Sequence, residues 1–191
     1  MSLNSAHGKI IIETPRLIIR EFTPHDELAL FELFSDFDVM YFCVWGPLDL
    51  KGTRAFIKKT VENYKNKGFG KWAVILKKTG KLIGSCGFHT VKIDRDSIIE
   101  LEYRLQKKLW GRGIGTEAAI ACRDYGFTNL NLSEIFSGMD PNNIASMRVA
   151  EKTGMRFLRI GNFFNKKCVI HRITREEWKK LKSAKKSEGN S

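Results

Sequence analysis

Hydrophobic positions in the first half of the chain fall into short runs separated by turn residues, with two helical periods between them. Residues 10–12 and 16–20 read as short strands folded about the Thr14-Pro15 turn. Thr23-Pro24-His25-Asp26 opens a helix: Thr23 can cap it, Pro24 suits the first helical position, and Asp26 completes a capping-box pattern. That helix is expected to reach about residue 34, with Leu28, Phe31 and Phe34 on one side. An aromatic loop holding Phe37, Tyr41, Phe42 and Trp45 ends at Gly46-Pro47. Phe56, Ile57, Val61 and Tyr64 recur at helical spacing and predict a helix over 53–67, closed by Gly68. Residues 71–76 and 81–88 flank a Lys78-Thr79-Gly80 turn as a hairpin, and 97–105 form a further strand after Asp94-Arg95-Asp96.

The second half changes rhythm. A glycine-rich segment opens a helix over 116–129, followed by a strand over 134–139, a helix over 143–153 closed by Gly154, two more strands and a terminal helix. A hairpin-rich front followed by β-α-β-α-β-β suits an α/β (α+β) layer with a mixed, partly antiparallel sheet.

The 191 residues fit one domain, placed at 10–182 between a flexible N-terminus (1–9) and a basic flexible tail (183–191). Lys and Arg number 33 against 21 Asp and Glu, a net charge of +12, which leaves either a polyanionic partner or a small anionic ligand. Residues 166–191 hold nine Lys/Arg and three Asp/Glu, so half of that excess lies at the C-terminal end. No apolar run is long enough for a membrane-spanning helix, so no membrane partner is expected. Cys43, Cys86, Cys122 and Cys168 are scattered without a CxxC pair; they read as reduced thiols, and no metal site is expected. The first residues show no apolar leader, so the expected location is the cytoplasm. His7, His25, His89 and His171 form no nucleophile pattern and are read as surface or core residues.

The strongest local signal is Leu109-Trp110-Gly111-Arg112-Gly113-Ile114-Gly115-Thr116-Glu117-Ala118. Alternating glycines allow a tight turn straight into a helix, whose free N–H groups and dipole attract phosphate oxygens. The Gly-Lys-Ser/Thr ending of a Walker loop is absent. The third glycine of a dinucleotide fingerprint falls on Thr116, and the hairpin-rich front offers no opening βαβ unit.

Further segments carry a resemblance. Thr14-Pro15-Arg16-Leu17-Ile18-Ile19-Arg20, Leu82-Ile83-Gly84, the glycine loop through Ala118, Asn143-Ile144-Ala145-Ser146, Glu151-Lys152-Thr153-Gly154 and Arg175-Glu176-Glu177-Trp178 together resemble the GNAT superfamily of acetyl-CoA-dependent N-acetyltransferases. Within it, they are similar to the RimJ/RimL-type branch that acetylates ribosomal-protein N-termini. The resemblance implies a mostly antiparallel central sheet, splayed at the cofactor cleft and flanked by helices. It implies acetyl-CoA as cofactor, with Gly111, Arg112, Gly113, Ile114, Gly115 and Thr116 around the pyrophosphate. Main-chain groups near Tyr103 and Leu105 would meet the pantetheine arm, with Asn143 on the other side.

Acetyl transfer needs a neutral amine, a proton acceptor, a donor to the forming oxyanion and a proton source for the leaving thiolate. Glu100 and Glu102 point to one strand face, where mutual repulsion would raise one pKa; the resemblance favours Glu100 as base, and Glu102 or water stay open. A Tyr common on the family's later helix is replaced by Ala150, which leaves Ser146 as the candidate donor to the thiolate. The expected acceptor is a primary amine, foremost a protein N-terminus. The alternatives are a small-molecule amine, or a non-catalytic acyl-CoA- or RNA-binding module. The tail is expected to aid solubility or docking on an acidic surface such as a ribosome, and the protein is expected as monomer or homodimer.

Overall fold

The computed structural model describes residues 8–188, with side chains to 184. Its elements are β1 (Ile10–Glu13), β2 (Leu17–Arg20), α1 (Glu27–Phe34), α2 (Phe37–Met40), α3 (Leu50–Lys67), β3 (Lys71–Leu76), β4 (Lys81–Ile93), β5 (Asp96–Leu105), α4 (Ile114–Thr128), β6 (Glu134–Met139), α5 (Ile144–Lys152), β7 (Arg156–Phe163), β8 (Lys166–Thr174) and α6 (Arg175–Glu188). All eight strands form one sheet in the order β1-β2-β3-β4-β5-β6-β8-β7. Every neighbouring pair is antiparallel except β5–β6, which is parallel and matched at one position only, Glu100 with Phe136.

Strand alternation sorts β5 cleanly. Leu101 and Leu105 are buried under α4 with Leu17, Trp72, Phe88, Ala118, Cys122 and Phe127. Glu100, Glu102 and Arg104 face the other way, toward the side covered by α1 and α3. On that side a second core gathers Phe22, Leu30, Leu33, Phe34 and Ile57 on Ala73, Ile75 and Leu82. A third, small core of Val91, Ile93, Ile98, Phe136, Cys168 and Ile170 lies further along the sheet. Between these last two cores lies a gap lined by residues of both.

Several expectations are adjusted. Pro24–Asp26 is a 3-10 turn ahead of α1; the Thr23 N–H donates to Asp26 Oδ2 (2.8 Å), which also takes Arg20 Nη1 at 2.8 Å. Leu28 is 67% exposed, and Leu30, Leu33 and Phe34 form the buried stripe. The expected strand over 81–88 runs on to Ile93, because β5 pairs with it along its whole length and a two-residue turn with Asp94 at φ 53° joins them. The helix expected from residue 53 starts at Leu50, where the Asp49 carboxylate accepts the Gly52 N–H at 2.6 Å. The tail expected to be flexible from 183 is helical through Glu188, and its last residues lie outside the described ones, as do residues 1–7. Among the described residues no helix is long and apolar enough to cross a membrane.

The terminal helix is docked by specific polar contacts. Thr174 and Glu177 form a reciprocal capping box, with the Thr174 N–H donating to Glu177 Oε2 at 2.8 Å. Trp178 stacks on Phe127, and its Nε1 donates to Asp124 on α4 at 2.7 Å. Asp124 also receives Lys182 Nζ at 2.6 Å and Arg123 Nη2 at 2.6 Å. Asp124→Ala should therefore cost about 1–3 kcal/mol of stability, read as a lower urea midpoint with an unchanged m-value.

Candidate active site

The site begins where β5 leaves β6. Gln106 N–H bonds back to Ile83 on β4 (2.9 Å), so alternation turns the main-chain groups of Leu105, Tyr103 and Leu101 away from β4, toward the space β6 vacates. Trp110 Nε1 already donates to the Leu105 carbonyl at 2.8 Å, which leaves Tyr103 as the freer stretch of that edge. A cavity of about 480 Å³ opens here, between β5, the start of α4 and the start of α5. Of the residues singled out from sequence, Tyr103, Leu105, Gly111, Gly113, Ile114, Gly115, Thr116, Asn143, Glu100 and Ser146 all line it.

Arg112 does not line it. Its side chain is exposed, and its carbonyl accepts Arg16 Nη1 at 2.9 Å. Gly111 (φ 73°) and Gly113 (φ 72°) on either side hold left-handed conformations that a side chain would strain. The loop is braced from the far edge of the sheet. Glu117 Oε1 accepts from Thr14 Oγ1 (2.6 Å) and from the Arg16 N–H (3.0 Å), while Oε2 pairs with Arg16 Nε at 2.5 Å. The two motifs at 14–17 and 111–117, separate in sequence, are thus one hydrogen-bonded unit, which sequence reading did not foresee.

Asn143 is the N-cap of α5: its Oδ1 accepts the Ser146 N–H at 3.1 Å, so its amide nitrogen is the part turned to other uses. Ser146 Oγ lies 3.0 Å from Tyr103 Oη, and that phenol donates to the Ser146 carbonyl at 2.8 Å. Burial pushes the Tyr103 phenol up from its ordinary pKa, so it stays a hydrogen-bond donor.

A second cavity, of about 550 Å³, lies on the α1–α3 side and shares Glu100, Glu102, Arg104 and Gly138 with the first. Its outer wall is aromatic: Tyr41, Phe42 and Trp45 after α2, and Phe164 from the β7–β8 turn, with Trp45 and Phe164 edge to face at 4.6 Å.

Between the cavities sits a compact ionic cluster. Glu100 is 8% exposed; its Oε1 accepts the Gly138 N–H of β6 at 2.8 Å. His89 Nε2 lies 2.8 Å from Glu100 Oε2 and 3.3 Å from Glu102 Oε2, at ion-pair distance though without the alignment of a straight N–H···O bond. Glu102 also pairs with Lys71 Nζ (2.7 Å) and with Arg104. Burial pushes the Glu102 carboxyl up, but Arg104, Lys71 and His89 outweigh it and hold it well below the usual carboxylate range. Burial likewise pushes the His89 imidazole down, yet the two carboxylates raise it on balance. For Glu102 the cations outweigh any repulsion between the carboxylates, and His89, read from sequence as a surface or core residue, lies against both of them. His89, Glu100 and Glu102 bring ligand-type atoms within 4.8 Å of one another, but Lys71 and Arg104 already supply positive charge to Glu102.

Comparison with known proteins decides the family. Residues 16–156 match the acetyltransferase (GNAT) domain. The chain belongs to the GNAT acetyltransferases. It is 35% identical to the uncharacterized N-acetyltransferase YnaD of Bacillus subtilis over 87% of this chain and 98% of that one. It is 34% identical to the uncharacterized protein YkkB of the same organism, over 86% and 96%. A GNAT-family acetyltransferase structure from Bacillus anthracis superposes with a TM-score of 0.73 at 31% identity, over 86% of this chain and 98% of that one. The protein is an N-acetyltransferase with this family's mixed, mostly antiparallel sheet, and it uses acetyl-CoA. Structures titled as ribosomal-protein acetyltransferases, RimL among them, share the fold at 13–19% identity.

Two outcomes test this geometry. Glu117→Ala should raise the KM for acetyl-CoA about 10-fold with a smaller change in kcat, because the loop loses its brace while the ionic cluster is untouched. Glu102 contributes stability above its unfolded pKa of about 4.3, lost as pH falls through its lowered folded value. Glu102→Gln should therefore be less stable at pH 7 and show a shallower loss of stability on acidification, read by denaturant titration at each pH.

Proposed function

We propose that this N-acetyltransferase acts on the α-amine of a protein N-terminus, with Glu100 as the proton acceptor. The observation that carries the reading is that Glu100 stands in the wall common to both cavities, at the one position where β5 and β6 still pair. Acetyl-CoA, when bound in the 480 Å³ cleft, supplies a thioester-activated acetyl group.

The remaining roles belong to the chain. Gly111, Gly113, Ile114, Gly115 and Thr116 offer backbone amides and the N-terminus of α4 to the pyrophosphate, and nothing lies within 4 Å of a Cβ built at Gly111, so the approach is open. The Tyr103 main chain and the Asn143 amide flank the pantetheine arm. Gly138 and His89 fix the two oxygens of Glu100 toward the acceptor side. Glu102, neutralised by Lys71 and Arg104, is a poor proton acceptor, which favours Glu100 between the two. The Ser146 hydroxyl, whose proton points to Tyr103 Oη while that phenol donates to the Ser146 carbonyl, would turn to donate to the departing thiolate. A carboxylate base suits an α-amine, with a pKa of about 8, better than an alkylamine near 10.4. The wide aromatic mouth, with Tyr41, Trp45 and Phe164 all exposed, favours an acceptor that continues into solvent. The cavity of about 550 Å³ also matches a small-molecule amine, which is the second reading.

Thiol release from acetyl-CoA on a panel of Ser- and Ala-starting peptides, N-blocked lysine peptides, polyamines and aminoglycosides tests this reading. Free-N-terminal peptides should turn over and N-blocked ones should not. Glu100→Gln should cut kcat/KM by about 10²–10⁴ with coenzyme A binding retained. Wild-type turnover by Glu100→Gln would overturn the base, and equal turnover of N-blocked peptides would overturn the acceptor.

A further inference from the structure

The charges around the acceptor cavity form two shells that behave differently. The lining holds six Lys or Arg and three Asp or Glu. The inner cations, Lys71 and Arg104, are engaged by Glu102. The third acid, Asp140, accepts the Asn142 N–H at 2.8 Å and its side-chain amide at 3.1 Å, so it is tied to its own turn. The outer cations are Lys59 on α3, Lys92 on β4, and Lys166 and Lys167 at the start of β8. All four are exposed, they come from three elements that each contribute to the wall of this cavity, and among the described residues none is ion-paired.

We propose that the acceptor of this enzyme carries a carboxylate or phosphate group near its reacting amine. The inference rests on the acetyl-transfer reading and on the 550 Å³ cavity being the acceptor side. Like charges gathered around a concave wall of Trp45, Phe42 and Phe164 focus a positive potential into the cavity, at the cost of mutual repulsion. An anionic group on the acceptor relieves that repulsion. The same field acts on the amine: positive neighbours disfavour its ammonium form and so favour the neutral nucleophile beside Glu100. A neutral amine is indifferent to this field on entry, while a polycation such as a polyamine or aminoglycoside meets it as a barrier. The matching acceptor therefore presents its amine inward and its negative charge at the lysine shell. Two sources offer that chemistry: a peptide N-terminus followed by acidic residues, or a small aminocarboxylate or aminophosphate.

Matched pairs test the proposal on the full chain. One arm compares peptides with Glu or Gln at the second and third positions. The other compares a small aminocarboxylate with its amide. Each is measured for kcat/KM at low and high salt, in the wild type and in Lys59→Gln/Lys166→Gln/Lys167→Gln. The anionic member should be favoured about 10-fold at low salt, and that ratio should shrink with added salt and in the triple variant. A ratio confined to one arm identifies the source. Equal rates within both pairs, or faster turnover of the neutral member, would overturn the charge requirement and leave acetyl transfer standing. Absence of turnover on every member, with coenzyme A binding intact, would overturn both.

Discussion

Strands β5 and β6 pair at Glu100–Phe136 and nowhere else: the crossover through α4 makes them parallel neighbours, and on either side of that one position they diverge. Continuous pairing would satisfy the inner edge of β5 and close the sheet. Divergence instead leaves the main-chain groups of Leu101 and Tyr103 facing a cleft, and it lets space on one sheet face communicate with space on the other. Both cavities, the orientation of Glu100 and the placement of the two helix starts follow from that gap. Gly138 is the residue that makes it workable: its N–H holds Glu100, and a Cβ there would stand 3.3 Å from the Glu100 carboxylate and 3.1 Å from Ile93.

The cluster at the divergence assigns different chemistry to two carboxylates that are neighbours on one strand face. Glu102 is surrounded by fixed cations and held ionised, which makes it part of the scaffold. Glu100 has a backbone N–H on one oxygen and an imidazole on the other, with no Lys or Arg in direct contact among the described residues. Burial alone would have made the pair resemble each other. The difference comes from which strands lie beside them: Lys71 reaches Glu102 from β3 and Arg104 from two positions along β5.

Much of this was legible in the sequence, and the boundary is physical. The glycine loop feeding a helix, the shared face of Glu100 and Glu102, and the glycine that closes α5 are local, so spacing reveals them. The contact of His89 with Glu100 was not read because it depends on the β4–β5 register, which sets the two opposite, and register is a property of the pair of strands. The length of β4 was underread for the same reason. Leu28 was misplaced because it lies inside α1 with Phe31 and Phe34 at spacings of three, and at 3.6 residues per turn such a row drifts off the buried face that Leu30, Leu33 and Phe34 form. Arg112 was expected at the cofactor from the motif; its side chain is exposed and its carbonyl accepts Arg16 Nη1, a long-range contact that the motif does not reveal. Family membership follows from matches across most of the chain, while the proposed charge preference for the acceptor rests on lysines whose meeting point only the tertiary fold defines.

The brace from Thr14 and Arg16 to Glu117 spans 103 and 101 positions of sequence. Contacts of that separation are favourable only after the intervening chain has collapsed, since loop closure must be offset by everything in between. The glycine-rich turn therefore does not reach its final shape as a local unit, however clear its motif. Its left-handed glycines are flanked by contacts from Thr14 and Arg16, at the β1–β2 edge of the sheet, so their setting depends on that edge being in place. A change at the N-terminal edge of the sheet is thus felt at the cofactor cleft, without touching any residue that lines it.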